Sequence, residues 1–241
     1  MGIRTKKAKG KDGWVTFTVI GDFGSSRSSS LLPSARIRRV VAQNINEIES
    51  HIGTFLSRAS NKRIVSVIGG GAWGVVFRLE DGSCLKVSTD PVEGANAYFW
   101  MYSQKKKPSL LNGSSKIYNV FKIKDRRGSI FSCIHREYVD IPRYFSAQVE
   151  AGLSIYQDNM IMYCASKTRK IKTKKAWLNS ANIGLKMASK EAKGLTNALR
   201  YAWDNGMAQL DAGTSNVGIR TKFAPGVRRG LGNLVLFDYG G

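Results

Sequence analysis

Apolar residues recur along this chain with two periods, and the switch between them divides it. Val15, Phe17 and Val19 alternate with Thr16 and Thr18, which predicts a short strand after a basic, flexible tail at 1–13. Ser25 to Ser30 read as a loop. From Ser34 the period lengthens: Ile37, Val40, Val41, Ile45, Ile48, Ile52, Phe55 and Leu56 fall on one helical face. Period two then returns. Arg63 to Ile68 and Val75 to Leu79 predict a hairpin around a glycine-rich turn, and Ser83 to Ser88 a third strand. Pro91 and Val92 open a helix over Glu93 to Gln104. Lys116 to Lys124 and Ser129 to Glu137 predict two more strands, joined by the turn Asp125-Arg126-Arg127-Gly128.

Beyond residue 140 the helical period dominates. Helices are expected over Pro142 to Gln157, Trp177 to Met187 and Ser189 to Asn205, with a short apolar segment at Met160 to Cys164. The helix at Ser189 carries Ala192, Leu195, Leu199, Ala202 and Trp203 on one side and stops at Asn205-Gly206. Two short strands, Val217 to Arg220 and Leu234 to Phe237, complete an α+β chain without internal repeats.

Four fragments carry candidate chemistry. The first is the turn Gly69-Gly70-Gly71-Ala72-Trp73-Gly74-Val75-Val76. The second is Lys86 within Cys84-Leu85-Lys86-Val87. The third is Asp211-Ala212-Gly213-Thr214-Ser215-Asn216, and the fourth Leu236-Phe237-Asp238-Tyr239-Gly240. Glycines at 69, 71 and 74 would let the main chain approach phosphates that a side chain would keep away. A dinucleotide fingerprint needs a helix directly after the last glycine, whereas Val75 to Leu79 reads as a strand. The lysine of a P-loop is absent. Asp22-Phe23-Gly24 precedes the glycine turn and reads as an ordinary turn.

In order and spacing these fragments resemble the protein-kinase signature set of G-x-G-x-x-G-x-V loop, strand lysine, D-x-x-x-x-N loop and D-F-G-type aspartate. The resemblance implies an α+β, two-lobed protein-kinase-like fold. Residues 1–62 would be a basic tail, a short strand and a helical extension, 63–139 an N-lobe, and 140–241 a reduced helical C-lobe. It implies ATP and Mg²⁺ as cofactors. Gly69, Gly71, Gly74 and Val76 would cover the nucleotide, and Lys86 would grip its phosphates with Glu93 as partner. Glu137 and Val139, in Glu137-Tyr138-Val139, would meet the adenine edge. Asp211 would be the catalytic base, and Asn216 and Asp238 the metal ligands. Glu93 follows Lys86 by only seven residues, so the alternative for it is a plain helix N-terminal glutamate favoured by the macrodipole.

The pattern departs from the family in two places. Gln209 and Leu210 stand where histidine and arginine precede the catalytic aspartate, which implies a site not governed by activation-loop phosphorylation. No full activation segment or A-P-E motif is expected after Asp238-Tyr239-Gly240. Both features are similar to the compact early-gene serine/threonine kinases of short-tailed lytic bacteriophages. That resemblance implies phosphorylation of host proteins in the host cytoplasm.

Composition sharpens the choice of partner. Lys and Arg number 38 against 17 Asp and Glu, a formal net charge of +21 on 241 residues. Such a charge favours anionic partners, either acidic proteins or nucleic acid. The basic residues bunch at Arg4 to Lys11, Arg36 to Arg39, Lys105 to Lys107 and Lys167 to Lys175. Three cysteines without a C-x-x-C pair exclude a zinc site of that spacing, and Cys84 and Cys133 are expected as buried thiols. His51 and His135 are isolated and read as structural. No apolar run is long enough for a bilayer, no signal-peptide core follows the basic N-terminus, and Lys6 does not fit a myristoylation motif at Gly2. Two alternatives to an active kinase stay open. One is a kinase-fold pseudokinase or interaction module binding host ribonucleoprotein or transcription machinery. The other is a small-molecule phosphotransferase, whose usually cationic substrates suit this basic chain less well.

Overall fold

The computed structural model describes residues 2–10, 13–21, 33–53, 64–70, 73–141, 145, 147, 149–156, 192–205, 216–220 and 234–238. The architecture is mixed α+β. The chain divides into two compact units. One comprises Met1–Ala8, Gly13–Tyr102 and Lys116–Tyr138, the other Lys9–Asp12, Ser103–Ser115 and Val139–Gly241.

β1 (Gly2–Gly10) pairs with β2 (Gly13–Gly21) in a two-stranded sheet, which corrects the expectation of a flexible tail at 1–13. Pairing satisfies main-chain groups that a lone tail leaves to water. The lysines that suggested a tail are compatible with a two-stranded ribbon, whose edges lysine protects from further pairing.

The expected long helix from Ser34 is two helices, α1 (Pro33–Gln43) and α2 (Ile45–Gly53). Asn44 makes the joint. Its N–H is shared between the carbonyls of Val40 and Val41 at 3.1 Å each, and its Nδ2 donates to the Val40 carbonyl at 2.9 Å. An asparagine that bonds its own preceding turn interrupts the helical ladder. Phe55 and Leu56, placed on the same face by periodicity, lie outside the described residues.

The main sheet has five antiparallel strands in the order β3 (Ile64–Gly70), β4 (Gly74–Leu79), β5 (Cys84–Ser88), β7 (Ile130–Arg136), β6 (Ile117–Lys124). Both tight hairpins carry a left-handed glycine, Gly82 at φ 83° between β4 and β5 and Gly128 at φ 78° between β6 and β7. One face of the sheet bears Val75, Phe77, Leu85, Val87, Phe121, Phe131 and Cys133. These pack with Ile37, Val40, Val41, Ile48 and Ile52 of α1 and α2 into one core. The opposite face bears Val76, Lys86, Ser132 and Ile134. The burial expected of Cys84 and Cys133 is seen, and burial raises the pKa of both thiols.

α3 (Pro91–Lys106) follows β5, and a short 3₁₀ turn (Pro108–Asn112) follows α3. In the second unit residues 149–156 form α4, with Val149, Leu153 and Tyr156 buried along one stripe. α5 (Lys193–Asp204) buries Leu195, Ala198, Leu199 and Ala202. Gly113 and Gly194 bring the end of the 3₁₀ turn and the start of α5 into main-chain contact. A Cβ on Gly113 would collide with the Gly194 carbonyl, and one on Gly194 with the Asn112 carbonyl. β8 (Val217–Ile219) and β9 (Leu234–Leu236) form a small antiparallel ribbon. The helix expected over Trp177 to Met187 and the segment Met160 to Cys164 lie outside the described residues.

Candidate functional site

The candidate residues fall into two groups, one in each unit. In the first, Lys86 is the middle residue of β5, with Val76 opposite it on β4 and Ile134 opposite it on β7. Lying between two paired strands, its side chain leaves the sheet at a fixed place. An ammonium buried alone is costly. Glu93 Oε1 lies 2.5 Å from Lys86 Nζ, with the two side chains 11% and 2% exposed.

The short spacing between the two residues has a local cause. Only Thr89 and Asp90 separate β5 from α3. Ser88 Oγ accepts the Asp90 N–H at 3.1 Å, and Asp90 Oδ1 accepts the Val92 N–H at 2.8 Å, so Asp90 caps α3 with Pro91 behind it. Glu93 therefore sits in the first turn, where the helix dipole favours its charge. The ion-pair and helix-terminus readings describe the same carboxylate. Gly94 completes the arrangement. A Cβ there would collide with Ser132 Oγ and come within 2.7 Å of Ser132 Cβ, so α3 lies against β7 only because residue 94 has no side chain.

The glycine turn is tied to the same place. The Trp73 carbonyl accepts hydrogen bonds from the Thr89 N–H at 2.8 Å, Thr89 Oγ1 at 3.0 Å and Ser88 Oγ at 3.1 Å. The Trp73 side chain is 67% exposed. A Cβ on Gly74 would press on Lys86 Cε and the Val87 carbonyl, each at 3.1 Å, so Gly74 leaves room for the lysine stem. At Gly69 a Cβ would meet nothing within 4 Å among the described residues, so packing does not demand glycine there. Gly71 lies outside the described residues.

Glu137 follows β7 directly. Its carboxylate accepts the Lys116 N–H at 2.7 Å, its own N–H donates to the Lys116 carbonyl at 2.8 Å, and its carbonyl accepts the Cys84 thiol at 3.6 Å. The side chain thus braces the start of β6. The Arg78 guanidinium lies 4.0 Å above the Tyr138 ring. In the second unit Val139 is buried with Val235 and Phe237.

The second group lies at one end of the β8–β9 ribbon. Val217 pairs with Leu236, so Asn216 and the residues after β9 emerge side by side. The Asn216 carbonyl accepts the N–H groups of Phe237 at 3.0 Å and Asp238 at 3.4 Å. An amide oxygen and a carboxylate are thereby carried on adjacent main chain, and both are the hard donors that suit Mg²⁺. Among the described residues no three His, Cys, Asp or Glu side chains cluster as metal ligands. Asp211, the expected base, lies outside the described residues.

The ribbon is firmly seated. Asp140 and Ile219 exchange main-chain hydrogen bonds at 3.1 and 2.7 Å, and Leu236 bonds both Gly113 and Ser115. A Cβ on Gly218 would stand 2.8 Å from the Asp140 carbonyl, so that contact needs a glycine. Arg220, 2% exposed, donates to the carbonyls of Leu111 at 2.7 Å and Ser114 at 3.0 Å. Sequence reasoning missed Arg220, because an arginine ending an apolar strand looks like a surface residue. It also missed Gly94, although a glycine inside a helical pattern was a usable signal.

A Ser, Asp and His meet elsewhere. Ser83 Oγ lies 2.5 Å from Asp81 Oδ1 and 2.9 Å from His135 Nε2. The hydroxyl donates to Asp81, so the imidazole donates to the hydroxyl rather than taking its proton, and this is a buried brace rather than a nucleophile. His51 stacks on Phe121 at 4.5 Å. Both histidines are structural in their contacts.

No family model matches the chain, and no curated protein matches it. Among the described residues no helix is long and apolar enough to cross a membrane.

Proposed function

We propose that the chain is an ATP- and Mg²⁺-dependent protein serine/threonine kinase. The observation that carries this reading is the buried Lys86–Glu93 pair beside Gly74 and Val76. A buried lysine fixed by a helix carboxylate is the arrangement a phosphate grip needs, because the ammonium is held in place before ligand arrives. The adjacency of Asn216 and Asp238 adds support from the second unit.

In this reading Lys86 binds the α and β phosphates, Glu93 orients Lys86, and the main chain at Glu137 and Val139 takes the adenine edge. Asn216 and Asp238 would hold Mg²⁺, which when bound neutralises charge on the phosphates. Asp211, five residues before Asn216, accepts the proton of the attacking hydroxyl. The charge of +21 suits protein targets that are acidic or bound to nucleic acid. The resemblance to phage early-gene kinases would place those targets in an infected host's cytoplasm.

The test is transfer of labelled phosphate from ATP to proteins of a bacterial lysate, comparing wild type with Asp211→Ala. Mg²⁺-dependent labelling by the wild type alone is expected. Saturating Mg-ATP should raise the melting temperature by about 5–10 °C at a hundred times Kd. Lys86→Met should remove most of that rise, and Asp238→Asn should abolish its dependence on Mg²⁺. A wild type with neither labelling nor thermal shift would overturn the proposal.

A further inference from the structure

Helix α3 carries a surface that neither group uses. Glu93, Ala97, Trp100 and Met101 are buried, while Ala95, Tyr98, Tyr102, Lys105 and Lys106 are exposed at intervals of three and four residues, forming one stripe. Tyr98 is 58% and Tyr102 51% exposed. A single exposed tyrosine is ordinary. Here two follow each other by one turn, about 6 Å along the axis, with two lysines on the next turn. The only acid of the helix, Glu93, is buried against Lys86. Lysines at a helix C-terminus offset its dipole, and here they continue a stripe of exposed aromatic rings.

We propose that the outer face of α3 binds single-stranded RNA, with bases stacking on Tyr98 and Tyr102 and phosphates met by Lys105 and Lys106. Aromatic platforms beside cations are the common means of holding a single strand, because every base has a π face and every nucleotide a phosphate. The net charge of +21 supplies the long-range attraction. An acidic peptide would answer the lysines but leave the rings without flat partners. Tyrosine rather than phenylalanine favours RNA over DNA, since a phenol can bond the 2′-hydroxyl. This inference does not depend on phosphoryl transfer.

The experiment is fluorescence anisotropy of labelled oligouridylate with the full chain, with oligothymidylate and polyglutamate as competitors. Tyr98→Ala with Tyr102→Ala should weaken binding roughly ten-fold or more. Lys105→Gln with Lys106→Gln should lower the slope of log K against log salt by about 1.4. Tyr98→Phe with Tyr102→Phe should keep the stacking but reduce the preference for oligouridylate over oligothymidylate. Should the alanine pair fail to fold, the phenylalanine and glutamine pairs decide alone. Wild-type affinity in the alanine pair, an unchanged salt slope, equal preference for the DNA, or displacement by polyglutamate as effective as by RNA would each overturn the proposal.

Discussion

Gly94→Ala is the sharpest single perturbation of the first group. In an isolated helix this change stabilises by about 1 kcal/mol. Here the new methyl would stand 2.7 Å from Ser132 Cβ, and a carbon–carbon contact prefers about 3.5–4.0 Å. Rotating the Ser132 hydroxyl cannot relieve a clash with Cβ, so α3 must retreat by about 1 Å. Glu93 is the neighbouring residue and would be carried with it. A pair at 2.5 Å would open beyond the usual charge-assisted distance of about 2.7–2.9 Å. Overpacking costs about 1–3 kcal/mol, and loosening a buried ion pair adds to that. A net loss of about 1–3 kcal/mol is expected in urea unfolding, against the sign of helix propensity. Ser132→Gly removes the partner atom, so the double variant should recover stability and show a coupling of at least about 1 kcal/mol in a double-mutant cycle. A Gly94→Ala protein as stable as wild type, with additivity within about 0.5 kcal/mol, would refute the reasoning.

Two further outcomes follow from contacts away from this pair. Burial pushes the Asp125 carboxyl up, but the Arg36 side chain and the N–H groups of Ser129 and Arg127 outweigh it and hold its pKa below the usual carboxylate value. Its folded pKa is depressed, so its contribution is full above the ordinary value and lost as pH falls through the folded one. Arg36→Ala should cost about 0.2–1 kcal/mol near neutral pH, with the difference from wild type shrinking in acid to what the Ser129 hydrogen bond and the Phe131 ring contact contribute; a gap independent of pH down to 2 would contradict this. Gly113→Ala should destabilise by about 1–3 kcal/mol, because its methyl would meet main chain of α5 that has no rotamer to change, and an unaltered urea midpoint would argue against that packing.

The strands of the main sheet were legible because alternation and turn chemistry agree. Val75 to Leu79 and Ser83 to Ser88 flank a glycine that adopts φ 83°. The break at Asn44 was not legible, because Ile37 to Ile52 keep one apolar face across it and the interruption lies in a side-chain bond. The strand Gly2–Gly10 was hidden by its lysines, which say more about an edge than about order. In the candidate site, residue types and order named Lys86, Glu93, Asn216 and Asp238. The contacts that hold them were beyond periodicity, because Gly94 against Ser132 and Arg220 against Leu111 join residues far apart in the chain.

The tie between the glycine turn and the start of α3 has a consequence for the order in which the molecule assembles. Gly74, Val76, Lys86 and Glu93 lie within two hairpin strands and one helical turn, and the Trp73 carbonyl is held by Ser88 and Thr89. Contacts this short in sequence close small loops and lose little chain entropy. Once β4 and β5 pair, the lysine and its carboxylate are already neighbours. On this ordering β7 would pair afterwards, and Ser132 fitting against Gly94 would act as a latch on geometry formed before it. A slow-folding variant damaged in β7 should therefore keep a loose form of the pair, whereas an insertion between Ser88 and Pro91 should abolish it while leaving every strand intact.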